Sequence, residues 1–273
     1  MNIRLMKYLC QLSDKELKNI LYNFLKKKYR NVECTDEYII AEGTLPICLV
    51  AHLDTVFPTP VKEFYYDKKL QVLWSPQGLG ADDRAGVYAI LQILEDGYKP
   101  SVIFTMGEEK GGLGAKALAK RMPDCPFVGL KAIIELDRQG KDDCVFYECD
   151  NDDFTKYIES FGFNTEIGSY SDINFFAPIW GVAAVNLSVG YIDEHSYSER
   201  LIIKYLEDTI MKVEAILSQS IPMKTYAYVP YNPKIERCVI CGRKATENQR
   251  YEIIDLNGLS FRACEDCHNS YYK

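Results

Sequence analysis

Three apolar runs in this chain lack the polar alternation of a half-exposed strand, and each finishes on or just before acidic residues. PICLVAHLD (46–54) ends at Asp54, SVIFTMG (101–107) precedes Glu108 and Glu109, and KAIIELD (131–137) ends at Asp137. Runs of this kind suit strands covered on both faces, as in a largely parallel sheet. Between them lie helical stretches, RAGVYAILQILEDG at 84–97 and GAKALAKRM at 114–122. A further helix is predicted over 13–29, where Ser13 and Glu16 have capping-box spacing and Leu17, Ile20, Leu21 and Phe24 recur at helical intervals. The alternation of strand and helix predicts an α/β fold, a mixed, largely parallel sheet sandwiched by helices.

The pattern continues through YIIA (38–41), the strand-like CVFYECD and VAAVNLSVG, a helix near 152–161, and a long amphipathic segment at 198–219 that reads as one closing helix. With 273 residues, 47% of them hydrophobic, the chain can build one sizeable core and a small appendage. The expected division is a catalytic domain over 1–219, a linker over 220–236 marked by three prolines, and a cysteine-bearing module over 237–273. A net charge of −7 disfavours a nucleic-acid backbone as the main partner, because phosphate binding needs surplus Lys and Arg. No stretch reaches 18 apolar residues and the first residues lack a signal-peptide pattern, so a soluble, cytoplasmic protein with no membrane partner is expected.

Only three histidines occur, and two stand beside acids at the ends of strand-like runs. His52 and Asp54 form HLD, so period-two geometry sends both side chains off one face at the strand's C-terminal edge. That edge is where open α/β sheets bind ligands. Asp82 and Asp83 follow in the Gly-rich turn QGLGADDRAG, Glu108 and Glu109 in GEEKGGLGA, and His195 in YIDEHSYSE. Singly, each cluster reads more readily as a polar strand end, as solvated charges at a helix start or, for His195, as a surface loop residue. Gathered in one pocket, so many carboxylates would repel one another without cations, and a pair of metal ions needs such a set of carboxylates and imidazoles.

The ordered motifs HLDT, GADDRAG, GEEKGGLGA, ELD and EHSYSE resemble those of the co-catalytic metallopeptidases, the clan of leucyl and glutamyl aminopeptidases, tripeptidase T and glutamate carboxypeptidase. The resemblance spans roughly residues 45–218. It implies that His52 and Asp137 bind one metal, Glu109 and His195 the other, and that Asp82 bridges them. Asp82 is preferred to Asp83 because the family's bridging Asp lies four residues before the motif's glycine, here Gly86; the peptide bond after it is often cis in such enzymes. Asp54 would orient His52, and Glu108 would act as general base. His195 follows Asp137 by only 58 positions, which implies the compact form without a lid domain. GSYSDINFF resembles the family's substrate-facing loop, making Asp172 a candidate for contacting a substrate amine, with helix capping as the alternative.

Near the C-terminus, Cys238 and Cys241 form one C-x2-C pair and Cys264 and Cys267 a second, with a spacer that reads as a hairpin around Asn257-Gly258. Four thiolates so spaced suit one structural zinc in a ribbon-like module whose folding the metal would support. The other six cysteines read as reduced, buried small hydrophobes. The expected function is therefore a two-zinc aminopeptidase on small peptides, with cobalt or manganese as alternative active-site metals. The alternatives are an N-acyl amino acid deacylase or carboxypeptidase, or a silent scaffold whose module holds a protein or nucleic-acid partner. Oligomeric state stays open.

Overall fold

The computed structural model describes residues 1–221, 223–232, 237–238, 240, 244, 250–254, 260–264 and 267–269. Two short helices, α1 (Ile3–Cys10) and α2 (Asp14–Lys28), precede strands β1 (Val32–Cys34), β2 (Tyr38–Ala41), β3 (Ile47–His52), β4 (Tyr65–Asp67) and β5 (Val72–Trp74). Helix α3 (Ala81–Glu95), strand β6 (Ser101–Thr105), helix α4 (Leu113–Arg121) and strands β7 (Ala132–Arg138) and β8 (Asp143–Val145) follow. Then come α5 (Asp152–Glu159), β9 (Asn164–Thr165), α6 (Ile173–Trp180), β10 (Ala184–Ser188), β11 (Tyr191–Ile192), β12 (Arg200–Ile202), α7 (Ile203–Ser218), β13 (Arg250–Ile254) and β14 (Ser260–Cys264).

The main sheet has eight strands in the order β1-β2-β6-β3-β7-β10-β8-β9. Its centre, β6-β3-β7-β10, is parallel, and antiparallel pairs flank it. Both faces are covered. Leu49, Ala51 and Ile134 join the helix-rich core on one face, whereas Cys48, Val50 and Ile133 meet α4 and α6 on the other. That two-sided burial is why the central strands read as unbroken apolar runs. Helix α2 starts with the expected box, Ser13 Oγ accepting from Glu16 N–H and Glu16 accepting from Ser13 N–H. Helix α3 crosses the sheet so closely that a Cβ on Gly86 would sit 1.9 Å from the Leu136 carbonyl oxygen, which makes glycine obligatory there.

Two details differ from the sequence expectation. The segment over 198–219 is not one helix: Arg200–Ile202 pairs with β5 in a separate four-stranded sheet, β11-β12-β5-β4, before α7 begins. The proline-bearing stretch after residue 219 lies against the body as far as residue 231. Met223 and Tyr226 are buried in the core, Tyr226 N–H donates to Lys131 O, and Tyr231 N–H donates to Glu148 O. A chain ending at residue 232 is therefore expected to fold, whereas one ending at 219 should melt lower, since Met223 alone contributes about 1.5–3 kcal/mol by burial. Thermal melts of the two truncations check this.

Among the described residues no helix is long and apolar enough to cross a membrane. The interval from Asp137 to His195 is filled by β8–β11, α5 and α6, all within or against the two sheets, with no separate lid among them.

Candidate metal centre

The C-terminal ends of β3, β6 and β7 lie side by side, so His52, the Glu108–Glu109 turn and Asp137 converge on one edge of the sheet. Asp82 enters from the start of α3 and His195 from the loop after β11. One carboxylate stands between the two imidazoles: His52 Nε2 is 2.9 Å from Asp82 Oδ1, and His195 Nε2 is 3.1 Å from Asp82 Oδ2. His52 Nε2 also lies 3.2 Å from Asp137 Oδ1, and His195 Nε2 lies 3.0 Å from Glu109 Oε2. His195 holds this pose with a φ of 60°, in the left-handed region that non-glycine residues seldom adopt.

Asp83 is close by but differently used. Its Oδ2 accepts from His52 N–H at 3.3 Å and its Oδ1 from Gly86 N–H at 2.9 Å, so backbone donors occupy both oxygens. The Asp82–Asp83 peptide bond is cis. Asp54 also does more than face His52 Nδ1, from which its Oδ1 is 3.5 Å away. It accepts from the N–H groups of Gly107 (2.7 Å), Glu108 (3.1 Å) and Glu109 (3.3 Å), fixing the turn that carries both glutamates. Tyr170 completes that turn by donating its hydroxyl to Glu108 O at 2.8 Å.

Several supporting residues escaped sequence reasoning because long-range contacts define their roles. Ser171 Oγ donates to Asp137 Oδ2 at 2.9 Å, and Asn186 brackets the Asp137 backbone, accepting from its N–H and donating to its carbonyl at 3.0 Å each. Arg84, fully buried, donates to the Leu53 carbonyl between His52 and Asp54 and pairs with Asp14 at 2.9 Å. Its place in the DDRAG motif was the one available signal. Asp172 stands within reach of the charges of His52, Glu108 and Asp54. It is fully buried at the N-cap of α6, makes no capping bond, and accepts the Thr105 hydroxyl.

The electrostatics are those of an acid-rich pocket. Burial, with the charge of Asp137, pushes the Glu108 carboxyl up to about 7; burial with Asp82 does the same for Glu109. Burial also raises Asp137 to about 7 against the pull of His52. Burial alone would lift Asp82, but hydrogen bonds from His195 and His52 hold it well below the usual range. Hydrogen bonding to Asp82 lifts His195 to about 9.

Without metal, this pattern fixes the sign of the pH dependence. Glu108, Glu109 and Asp137 keep protons in the folded state that the unfolded chain releases near 4, so their contribution is fully present below that value and is lost as pH rises to about 7. His195 continues the loss from about 6.5 to about 9. Metal-free protein is therefore expected to melt progressively lower between about pH 4 and about pH 9, at about 2–4 °C per kcal/mol. Calorimetric scans across that range check it, and added zinc should flatten the curve by supplying the missing positive charge.

The donor set fits cations. The carboxylates of Asp137, Asp82 and Glu109 alternate with the two imidazole nitrogens in a chain of contacts of 3.2, 2.9, 3.1 and 3.0 Å, and Glu109 Oε1 is buried with no hydrogen-bond partner. Separately, one ligand atom each from Cys238, Cys264 and Cys267 lies within 4.8 Å of the others. Cys241 and the Asn257-Gly258 turn lie outside the described residues.

Residues 40–169 match the model of peptidase family M28. A stretch of 120 residues is 33% identical to the alkaline phosphatase isozyme conversion protein of Escherichia coli (strain K12), covering 41% of this chain and 34% of that protein. The chain thus spans about a third of the length of that curated relative. In fold, the chain resembles aminopeptidase PepT from Bacillus cereus ATCC 10987, with 17% identity and a TM-score of 0.64 over 80% of this chain and 98% of that one. A tripeptidase from Staphylococcus aureus is similar to the same degree, with 16% identity and a TM-score of 0.64 over 81% and 98%. This is the metallopeptidase clan that the five motifs resemble.

Proposed function

We propose that this chain is a metal-dependent peptide hydrolase, an aminopeptidase acting on small peptides with two divalent cations, zinc by preference. The observation that carries the reading is the single carboxylate of Asp82 set between two imidazoles, 2.9 Å from His52 and 3.1 Å from His195. His52 and Asp137 would hold one cation, Glu109 and His195 the other, and Asp82 would span both. Bound there, two cations would polarise the scissile carbonyl and lower the pKa of an attacking water.

The protein's own residues do the rest. Glu108 takes a proton from the attacking water and returns it to the leaving amine, and burial near pH 7 suits it to both. Asp54 and Tyr170 hold Glu108 in place through its backbone, so the carboxyl remains free to exchange protons. Ser171 and Asn186 fix Asp137. In the C-terminal module, Cys238, Cys264 and Cys267, with Cys241 as the fourth thiolate, would hold a structural zinc. The break between the two units would fall after residue 231, where the stretch packed on the body ends.

Steady-state assays compare free-amine tripeptides with the same peptides N-acetylated, on protein loaded with zinc. Cleavage of the free-amine peptides only supports the aminopeptidase. Cleavage confined to N-blocked substrates would replace it with a deacylase, and hydrolysis of neither by protein carrying two active-site metals would sink the peptidase reading.

A further inference from the structure

Helix α3 begins with an exposed need. Gly80, its N-cap, has a left-handed φ of 65° and offers no side chain to the free N–H groups of the first turn. A helix start leaves such donors unpaired, and a carboxylate placed there is favoured by both hydrogen bonding and the helix dipole. Glu199 supplies it from 119 residues away. Its Oε2 accepts from Gly80 N–H at 2.6 Å and its Oε1 from Asp82 N–H at 3.0 Å, with the residue wholly buried. Both oxygens of one carboxylate are thus spent on the backbone of the turn that presents Asp82.

Glu199 also lies four residues beyond His195 in the loop between β11 and β12. Its N–H donates to Ser196 O at 3.0 Å, closing the loop on itself. The two side chains that meet at 3.1 Å, His195 and Asp82, are therefore tied at their roots by one buried residue. The opposite flank shares only Asp82 with it: His52 and Asp137 sit on adjacent strands, and Ser171 and Asn186 hold Asp137.

We propose that Glu199 is a positioning residue that weighs chiefly on one metal position, the one formed by Asp82, Glu109 and His195, because there it fixes the stance of two ligands, whereas the other position shares only Asp82 with it. The proposal rests on the two-metal reading above. Glu199 touches no reacting atom; it acts by fixing where Asp82 and His195 stand relative to each other. A residue that merely filled space would tolerate an isostere. Glu199→Gln keeps the shape but turns one acceptor into an NH2 that must face a buried N–H, so the clamp loses one of its two bonds.

The test titrates metal-free full-length protein with cobalt(II) and follows the visible spectrum of nitrogen- and oxygen-bound ions. Thiolate-to-cobalt charge-transfer absorption separately reports the cysteine cluster. Wild type should take up two such ions. Glu199→Gln should weaken one position about 10- to 100-fold, the loss typical of removing a partner behind a metal ligand, and the other, which shares only Asp82, by clearly less. Turnover on the best free-amine peptide should fall by a similar factor and recover in part at high cobalt. Glu199→Asp, which keeps the charge but cannot span both N–H groups, should fall between the two and carries the test if the Gln variant does not fold. Two wild-type affinities in both variants, or equal weakening of both positions, would overturn the proposal. A wild type that binds no cobalt outside the cysteine cluster would instead remove the two-metal reading on which it stands.

Discussion

Replacing Glu108 with glutamine is expected to lower kcat by about 10²- to 10⁴-fold while leaving metal content and melting temperature almost unchanged, the contribution usual for a general base. Three features make the expectation sharp. The residue's main chain is pinned independently of its side chain, with N–H on Asp54 and carbonyl on the Tyr170 hydroxyl. The amide is nearly isosteric, so the pocket should not collapse around it. The wild-type carboxyl, pushed to about 7 by burial and Asp137, is poised to hold and release a proton near neutral pH, which an amide cannot do. Single-turnover and steady-state rates on the best peptide, with elemental analysis of the same preparation, measure both halves. Near-normal turnover would mean that Glu108 is not the base.

Much of this architecture was legible because it is local. Strands β3, β6 and β7 are buried on both faces, so each wrote itself as an apolar run, and the acids at their ends had to share one edge of a parallel sheet. The residues that escaped are those whose meaning lies across the fold. Strands β4, β5, β11 and β12 are two or three residues long and partly exposed, too short to show a period. The 220–236 stretch carries three prolines that suggest a free linker, but each proline fixes only its own φ and removes only its own N–H, and residues between 223 and 231 pair with the body. Asn186, Ser171 and Arg84 are ordinary polar residues until Asp137 and Leu53 stand beside them. Asp172 is buried beside the acid cluster at the start of α6, where it accepts the Thr105 hydroxyl, a partner that the sequence could not name.

The choice between Asp82 and Asp83 shows the same limit, and it sets up the most severe substitution. Both are buried neighbours in one turn, but Asp83 gives its oxygens to backbone N–H groups, whereas Asp82 gives one to each imidazole. Asp82→Asn leaves one carbonyl oxygen and puts an NH2 where the other stood, so one imidazole faces a donor and neither cation position retains the shared negative charge. Both positions should weaken together, unlike the uneven loss expected at Glu199. Cations acting on a carbonyl are worth several kcal/mol, so kcat/KM should fall by about 10³-fold or more. Unlike Glu108→Gln, the loss should come with metal depletion after dialysis, and His195, without the carboxylate that raises it to about 9, should titrate lower by proton NMR of the metal-free variant. Retention of two tightly held ions in Asp82→Asn would mean that this carboxylate does not span the pair, and the assignment would pass to Asp83.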